Sequence, residues 1–326
     1  MVLWIAGARL ADPTPREGAL RIEGAKITGK AAVAPRGAKL LDARDLIIVP
    51  AFLDAHVHLA VAGEAALIAR QEVRGGVAGV LDLGAPERML PFQHAPLRIR
   101  WSGPLLTAPG GYPTQSWGKN GEGVELASAE DARTVVRRLA AAKTRFIKLA
   151  LDPRFPLLAP EVARAAADEA HRAGLLVAAH ALDADSVGRA LDAGADVLAH
   201  TPVDPLPAAL LARLAGKWVI STLHAFDALP ARLAAIRAAG ARIAYGTDLG
   251  NGGTSPGIDE AELTLLEAAG VDPVAAATSA AAALLSFPDL GSLAVGRAAS
   301  LLAVRSLAPE DLAHPEWVMI DGKQVV

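Results

Sequence analysis

The stretch VPAFLDAHVHLAVAG, residues 49–63, decides between two folds. It begins as an apolar strand and carries His56 and His58 near the end of that strand. A doubly wound open sheet would favour a glycine-rich phosphate-binding turn after its first strand, and this position holds histidines instead. The stretch therefore favours a (β/α)8 barrel, in which functional residues stand where each strand ends.

The following segment, up to residue 288, alternates apolar strand-like pieces with helical pieces rich in Ala, Arg, Glu and Leu. Such alternation indicates an α/β fold with parallel strands and crossover helices. In SAEDARTVVRRLAAAK (128–143), Ser128 followed by Asp131 resembles a helix N-cap, and Gly174 is a plausible stop for the next helix. The eight strand candidates are FLDAHVHLA (52–60), GVAGVLDLG (76–84), LRIRWSGPLL (97–106), RFIKLAL (145–151), LLVAAHA (175–181), ADVLAHT (195–201), KWVISTL (217–223) and ARIAYGTD (241–248).

The two ends of the chain consist of short strand-like pieces and turns. LIIV (46–49) near the start and WVMIDGKQVV (317–326) at the end are typical of β-structure, and GSLAVGRAASLLAVRSL (291–307) is also strand-like. Asp321-Gly322 is a hairpin turn signal. We predict that residues 1–48 and 289–326 pair into a split β-sandwich domain, with a TIM barrel over residues 49–288 between them.

The composition excludes several classes of protein. The 326 residues contain no cysteine, so disulfide scaffolds, Fe–S clusters and thiol nucleophiles are excluded. The net charge of -3 implies no basic face, so we expect no nucleic-acid partner. No apolar run reaches the roughly 20 residues of a membrane span, and MVLWIAGARLADP lacks the basic start of a signal peptide. We expect a cytoplasmic protein with a small-molecule substrate and no membrane partner, and homo-oligomerisation stays open.

Histidines at strand ends predict a metal site. His56 and His58 are two residues apart in a strand, which puts both imidazoles on the face that Asp54 also occupies. Alone, such a triplet can be a chance pair near a surface turn. His180 lies near the end of the fifth strand candidate and His200 near the end of the sixth. Each could instead be a core histidine whose hydrogen bonds are satisfied within the protein. Four histidines with a carboxylate exceed one tetrahedral site, which indicates two metals or one metal and a catalytic histidine.

Two charged residues, Lys148 and Asp248, lie at strand positions comparable to those of the histidines. Lys148 lies in the apolar FIKLAL, where a charged ammonium is costly unless it is paired or reaches the rim. Asp248 follows the eighth strand in YGTDLGNGG. It could form an Asx turn, or it could serve as metal ligand and general base. Its place at a strand's carboxyl end favours the functional role.

At this point the sequence resembles the amidohydrolase superfamily, through VPAFLDAHVH (49–58), His180, His200 and Asp248 at matching strand ends. LVAAHALDADSVGRALDAGADVLAHTP (176–202) and IAYGTDLG (243–250) are similar to segments of its imidazolonepropionase-like and Xaa-Pro dipeptidase (prolidase-type) subgroup. The resemblance implies two divalent metals, with zinc the expected identity, and one metal if Lys148 is not carboxylated. It implies that His56, His58 and Asp248 hold the more buried metal, that His180 and His200 hold the second, and that a carboxylated Lys148 bridges them.

The implied activity is hydrolysis of an amide or related C–N bond in a dipeptide or N-acyl amino acid, by a metal-activated water with Asp248 as general base. The alternatives are a mononuclear deaminase or imidazolonepropionase-like ring-opening hydrolase, in which His200 is catalytic, and a non-catalytic scaffold on the same fold. The family often carries Pro-Gly-Gly-His after the third strand, where this chain has Tyr112. The expected substrate-binding residues are Tyr112, Trp117, His224 and Asn251.

Overall fold

A computed structural model describes residues 2–11 and 14–326 of the chain. The strands are β1 (Val2–Ala11), β2 (Pro15–Glu23), β3 (Lys26–Ala31), β4 (Leu40–Asp42), β5 (Ile47–Pro50), β6 (Phe52–Val57), β7 (Val77–Asp82), β8 (Arg98–Trp101), β9 (Leu105–Thr107), β10 (Gly123–Glu125), β11 (Phe146–Ala150), β12 (Leu176–His180), β13 (Val197–Leu198), β14 (Trp218–Ile220), β15 (Arg242–Ala244), β16 (Leu301–Val304), β17 (Trp317–Ile320) and β18 (Lys323–Gln324).

The helices lie mostly between the strands of the middle segment. They are α1 (Leu59–Ala62), α2 (Ala65–Arg74), α3 (Ala129–Ala141), α4 (Pro160–Arg172), α5 (Ala184–Ala193), α6 (Ala208–Arg213), α7 (Pro230–Ala238), α8 (Glu260–Ala268), α9 (Pro273–Ala275), α10 (Ala281–Leu285) and α11 (Pro309–Ala313). A π-helical turn over Ala276–Ala280 joins α9 to α10. Among the residues described, no helix has the length and hydrophobicity that crossing a bilayer requires.

The two chain ends meet in one connected eight-stranded sheet, as their strand-like patterns predict. Its order is β18-β17-β16-β5-β1-β2-β3, and β4 also pairs with β1. One contact between the ends is the antiparallel pair β5–β16, in which Ile48 lies opposite Ala303. The predicted hairpin at Asp321-Gly322 is confirmed, since both residues have the positive φ that a type I′ turn needs, 48° and 75°. The predicted strand over 291–307 is much shorter, because only Leu301–Val304 pairs as a strand.

The middle segment forms two parallel sheets with helices between the strands, as the alternating sequence pattern predicts. One has the order β10-β9-β11-β12-β13-β14-β15, and the other has the order β6-β7-β8. The predicted single strand over 97–106 is wrong, because it divides into β8 and β9, which belong to different sheets. Gly103 has φ 75° and Pro104 has no amide hydrogen, so the chain cannot continue as one strand there.

Backbone hydrogen bonds link the edges of the two parallel sheets. On one side, Ala55 N donates to Tyr245 O (3.0 Å) and Asp248 N donates to His56 O (2.9 Å). On the other side, Arg145 N, just before β11, donates to Trp101 O at the end of β8 (3.0 Å). These bonds bring the carboxyl end of β6 beside the segment that follows β15.

The predicted helix signals are confirmed at two positions. Ser128 caps α3, since its Oγ accepts a hydrogen bond from Asp131 N at 3.1 Å. Gly174 follows α4 with φ 72°, the left-handed conformation typical of the residue just after a helix. Both signals depend only on residues close in sequence, so they set the ends of helices independently of tertiary contacts.

Candidate metal centre and its cavity

His56, His58 and Asp248 meet where β6 adjoins the segment after β15. The Nε2 atoms of His56 and His58 lie 3.0 and 3.3 Å from Asp248 Oδ1. One ligand atom from each of the three residues lies within 4.8 Å of the others, and all three residues are buried. No other group of three His, Asp or Glu residues is this tight in residues 2–11 and 14–326. The period of two along β6 places the two imidazoles on one face, as the sequence predicts.

The hydrogen bonds of His56 fix which of its nitrogens is free. Its Nδ1 lies 2.9 Å from the Ala199 carbonyl oxygen, which can only accept, so Nδ1 carries the proton. Nε2 is then an unprotonated nitrogen that faces a carboxylate oxygen of Asp248 at 3.0 Å. Two lone pairs at this distance repel unless a cation stands between them or beside them. The arrangement fits a divalent metal ion, which takes neutral imidazole and carboxylate as ligands.

Three buried polar atoms of the site have no hydrogen-bond partner among the described residues. They are Nδ1 of His58, Nε2 of His180 and Oδ1 of Asp248. Each buried polar atom without a hydrogen-bond partner costs about 1–3 kcal/mol of stability. Three such atoms in one site indicate that a bound ligand satisfies them. Gly84 packs directly against the His58 ring, and a Cβ there would clash with Nδ1, so the ring is confined from that side.

Asp248 is held by its backbone and by Asn251. Its φ of 55° is unusual for a residue with a side chain and is tolerated best by Asn and Asp. Asn251 Nδ2 donates to Asp248 Oδ2 at 3.3 Å, which leaves Oδ1 turned toward the histidines. Burial alone would raise the pKa of Asp248, but the electrostatic attraction of His56, His58 and Lys148 lowers it overall. The carboxylate is therefore ionised and able to accept a proton or bind a cation.

Lys148 reaches the same centre from β11. Its side chain is fully buried, and Nζ donates toward His56 Nε2 at 3.3 Å. Burial lowers the pKa of this amine to about 7, although the Asp248 charge opposes the shift. The cost of a buried ammonium is thus reduced, because a large fraction of the lysine is neutral at neutral pH.

His180 and His200 stand beside this group and are bonded to each other. His180 Nδ1 and His200 Nε2 share a hydrogen bond at 3.0 Å, and His200 Nδ1 lies 3.0 Å from Thr222 Oγ1. The rings of His56 and His200 are 4.7 Å apart, so the four histidines are contiguous. Burial lowers the pKa of His180 to about 4, which keeps the ring neutral and able to bind a metal.

A cavity of about 280 Å³ opens onto these residues. Tyr112, Trp117 and Asn251 line it, and Trp117 Nε1 donates to Tyr112 Oη at 3.0 Å. Burial raises the pKa of Tyr112 to about 12, so the phenol keeps its proton. Because its oxygen already accepts from Trp117, the Tyr112 O–H remains a donor for a ligand.

His224 is the predicted site residue that the structure does not bring to this cavity. Its Nδ1 pairs with Asp259 Oδ2 at 2.7 Å, and it is absent from the described lining of the cavity. A substrate contact for His224 stays a prediction, and the short helical turn His224–Phe226 presents Phe226 to the cavity. The Phe226 ring lies 4.4 Å from that of His200.

Sequence reasoning missed three residues of the site: Arg154, Thr222 and Phe226. Thr222 and Phe226 follow β14, and Arg154 follows β11, so all three come after strands that end at the site. That position was the available signal, because loops after parallel strands surround the site in such folds. It does not distinguish the residues that face the cavity from those that face away.

Comparison with known proteins places this site in a family context. A family model described as the amidohydrolase family matches residues 47–325. A solved structure of a Bifidobacterium longum protein, provisionally assigned as a prolidase, is similar over 99% of this chain and 94% of that chain, at 25% identity and TM-score 0.85. No curated protein sequence gives a match.

Two further solved structures share the fold. A Xaa-Pro dipeptidase with methionine bound in its active site is similar over 99% of both chains, with 21% identity and TM-score 0.82. An ochratoxinase from A. niger is similar over 99% of this chain and 95% of that chain, with 19% identity and TM-score 0.79. Proteins named for different substrates thus share this architecture, and fold alone does not choose between them.

Proposed function

Since the chain belongs to the amidohydrolase family, we propose that it is a metal-dependent hydrolase of an amide or related C–N bond, acting on a dipeptide or N-acyl amino acid. The observation that carries this proposal is the contact between two acceptors, His56 Nε2 and Asp248 Oδ1, at 3.0 Å beside the cavity that Asp248 lines. That contact calls for a cation. Proteins named prolidase and Xaa-Pro dipeptidase share the fold, which supports the choice of a C–N bond.

The proposal includes the architecture that holds the site. Residues 49–288 form a closed (β/α)8 barrel, and residues 1–48 and 289–326 form the split β-domain. The hydrogen bonds at both edges of the parallel sheets support closure, since β6 bonds to the segment after β15 and β8 bonds to the residue before β11. A closed barrel would collect the carboxyl ends of all its strands at one mouth.

We assign the ligands as follows. His56, His58 and Asp248 would hold one divalent ion, and His180 and His200 a second, with a carboxylated Lys148 between them. Carboxylation requires a neutral amine, and the lowered pKa of Lys148, about 7, supplies one. The amine nitrogen would form a bond to carbon dioxide and release a proton, which leaves an anionic carbamate oxygen as a ligand. Bound divalent ions supply Lewis-acid activation of water and of the scissile carbonyl.

The chain's own residues would supply the proton transfer and the positioning. Asp248 Oδ1, ionised and without a hydrogen-bond donor among the described residues, would accept a proton from the attacking water and pass it to the leaving nitrogen. Tyr112, still protonated and already bonded to Trp117, would donate its O–H to the carbonyl oxygen of the substrate. Asn251 keeps the Asp248 carboxylate in the orientation that this transfer needs.

One observation favours a second candidate, a mononuclear deaminase or ring-opening hydrolase. The tight ligand group comprises His56, His58 and Asp248, whereas His180 and His200 are bonded to each other and to Thr222. In this version His200 would be a catalytic residue that moves a proton, with Thr222 fixing its ring.

The experiment that separates these candidates counts metal ions and tests Lys148. Purified protein is analysed for metal content and screened against dipeptides, N-acyl amino acids and lactones. We expect about two ions per chain, lysine carboxylation, and loss of activity in Lys148→Ala with partial recovery by added small carboxylates. Lys323→Ala, an exposed lysine of β18, is the matched control and should keep full activity. Full activity with one ion and an unmodified lysine contradicts the binuclear version.

A further inference from the structure

We infer that Arg154 is the residue that recognises a free carboxylate on the substrate, so that the site selects acids over their neutral amides. The inference rests on the proposed function, to which it adds the residue that would recognise the free carboxylate of a dipeptide or N-acyl amino acid. It concerns a residue that the metal chemistry does not use. The inference follows from the position of Arg154, from its hydrogen bonds and from its positive charge in the cavity.

Arg154 is anchored at the cavity wall by a buried partner. Its Nε donates to Asp152 Oδ1 at 3.0 Å and its Nη2 donates to Asp152 Oδ2 at 2.6 Å. The Asp152 side chain is 3% exposed, whereas the Arg154 side chain is 75% exposed. The carboxylate therefore holds one edge of the guanidinium while the rest of the group stays open to a ligand.

The remaining donors have the geometry of a carboxylate fork. A guanidinium has five N–H donors, and Asp152 uses one on Nε and one on Nη2. In the part of the chain that the structure describes, no hydrogen bond involves Nη1. One N–H on Nη2 and both on Nη1 are left, and the Nη1–Nη2 edge can bind a carboxylate through two parallel hydrogen bonds.

The loop that carries Arg154 packs against the other wall of the cavity. Phe155, the next residue, has its ring 5.7 Å from that of Tyr112, and the Tyr112 ring lies 5.0 Å from that of His180. Gly111 approaches the Pro156 carbonyl oxygen so closely that a Cβ there would lie at 2.8 Å. These contacts fix the loop over residues 152–156 beside the cavity and thereby place Arg154 at its wall.

The described lining of the cavity provides one cation outside the proposed metal centre. Its lining contains two basic residues of high intrinsic pKa, Lys148 and Arg154, and Lys148 lies within the metal-ligand cluster. Arg154 is therefore the cation left for the substrate. The lining also contains the aromatic residues Trp117 and Phe226, which are available for a side chain or acyl group. An N-acyl amino acid with an apolar side chain combines both features.

The test compares an acid with its amide at equilibrium and in turnover. N-acetyl-L-leucine and N-acetyl-L-leucinamide are titrated into wild type, Arg154→Gln and Arg189→Gln, the last being a control in an exposed ion pair with Asp185 outside this cavity. We expect wild type and the control to prefer the acid. Arg154→Gln should weaken binding of the acid by about 10- to 100-fold, the value of hydrogen bonds to a charged group, and leave the amide unchanged within about threefold.

Other results would overturn the inference. Equal loss of both ligands in Arg154→Gln would mean that Arg154 only supports the loop, and an unchanged preference would mean that another group binds the carboxylate. Wild type that binds acid and amide equally also refutes it. Turnover separates the two proposals, since absence of hydrolysis of dipeptides and N-acyl amino acids by wild type counts against the proposed function, while the binding comparison still decides the role of Arg154.

Discussion

Two groups of histidines in this molecule differ in how their ring nitrogens are paired. Outside the cavity, His171 and His224 each bond an aspartate, at 2.8 Å to Asp196 and 2.7 Å to Asp259. At the metal centre, His56 and His58 share one oxygen of Asp248, and His180 and His200 bond each other. His58 and His180 also each retain a buried nitrogen without a partner among the described residues. The outer rings are partly exposed and each bonds one carboxylate through one nitrogen, whereas two inner rings hold a buried nitrogen that a ligand would satisfy.

The pKa values of His180 and His224 shift in opposite directions. Burial lowers the pKa of His180 to about 4, so it is neutral and able to coordinate metal. The hydrogen bond to Asp259 raises the pKa of His224, although partial burial opposes it. The comparison teaches that unsatisfied, neutral histidines distinguish a ligand site better than the number of histidines at strand ends does.

The largest expected effect comes from replacing one histidine of each region. His58→Asn should lose bound metal and reduce kcat/KM by at least about 1000-fold, because the Lewis acid contributes several kcal/mol to the transition state. His224→Asn should keep both metal content and rate. Metal analysis and steady-state kinetics on the two variants check this. A His58→Asn protein with full metal content, or a His224→Asn protein without metal, would break the comparison between the regions.

The next effect concerns the carboxyl beneath His224. Glu262 is fully buried, its Oε2 accepts from His224 N at 2.8 Å, and burial raises its pKa to about 7. The folded state therefore keeps a proton that the unfolded state releases above the ordinary glutamate pKa of 4.5. The contribution of Glu262 to folding stability should therefore be most favourable below pH 4.5. It should become less favourable as pH rises through 7, by up to about 3 kcal/mol.

Glu262→Gln removes this titration. We expect the variant to lose less stability than wild type between about pH 5 and pH 8, as measured by denaturant unfolding at both pH values. Glu267→Gln, at an exposed position of the same helix α8, is the control and should behave as wild type. If Glu262→Gln loses as much stability over this range as wild type, the buried carboxyl is not the source of the pH dependence.

Local patterns explain how much of this molecule could be predicted from its sequence. Period two along β6 placed His56 and His58 on one face, and alternating strands and helices placed His180 at the end of one parallel strand and Lys148 within another. Each of these predictions depends only on residues that are a few positions apart in the sequence. The resemblance of 49–58 to the amidohydrolase superfamily is confirmed because the matching segment runs through nearly the whole chain.

The features that could not be predicted depend on contacts between distant residues. The free nitrogen of His56 is set by the Ala199 carbonyl, 143 residues away. His224 turns outward because Asp259, 35 residues later, binds its ring. The role of Arg154 depends on the pairing of its guanidinium with Asp152 at the cavity wall. Loop conformation decides all three, and loop sequences carry little periodic signal.

A smaller effect should follow from the threonine behind His200. Thr222 Oγ1 lies 3.0 Å from His200 Nδ1, and such outer contacts orient a ring and are worth about 10- to 100-fold in metal affinity or activity. Thr222→Val keeps the shape and removes the hydroxyl, so we expect a loss in that range with unchanged folding. Thr264→Val, an exposed threonine of α8, should have no effect on metal affinity. Unaltered metal affinity and rate in Thr222→Val would show that the His200 ring is oriented by His180 alone.

The smallest effect tests the outer region itself. Asp259→Asn keeps the capping oxygen of α8, which accepts from Glu262 N at 3.0 Å, and removes the charge beside His224. The raised pKa of His224 means that the pair stabilises the fold fully below pH 6.5, and that this stability is lost as pH rises through the folded pKa. Because the His224 side chain is 40% exposed, solvent screening limits the effect to less than about 1 kcal/mol. An NMR titration of His224 should show its pKa falling in Asp259→Asn while metal content is unchanged. A loss of metal in this variant would mean that the outer pair supports the ligand site, and the two regions would then be coupled.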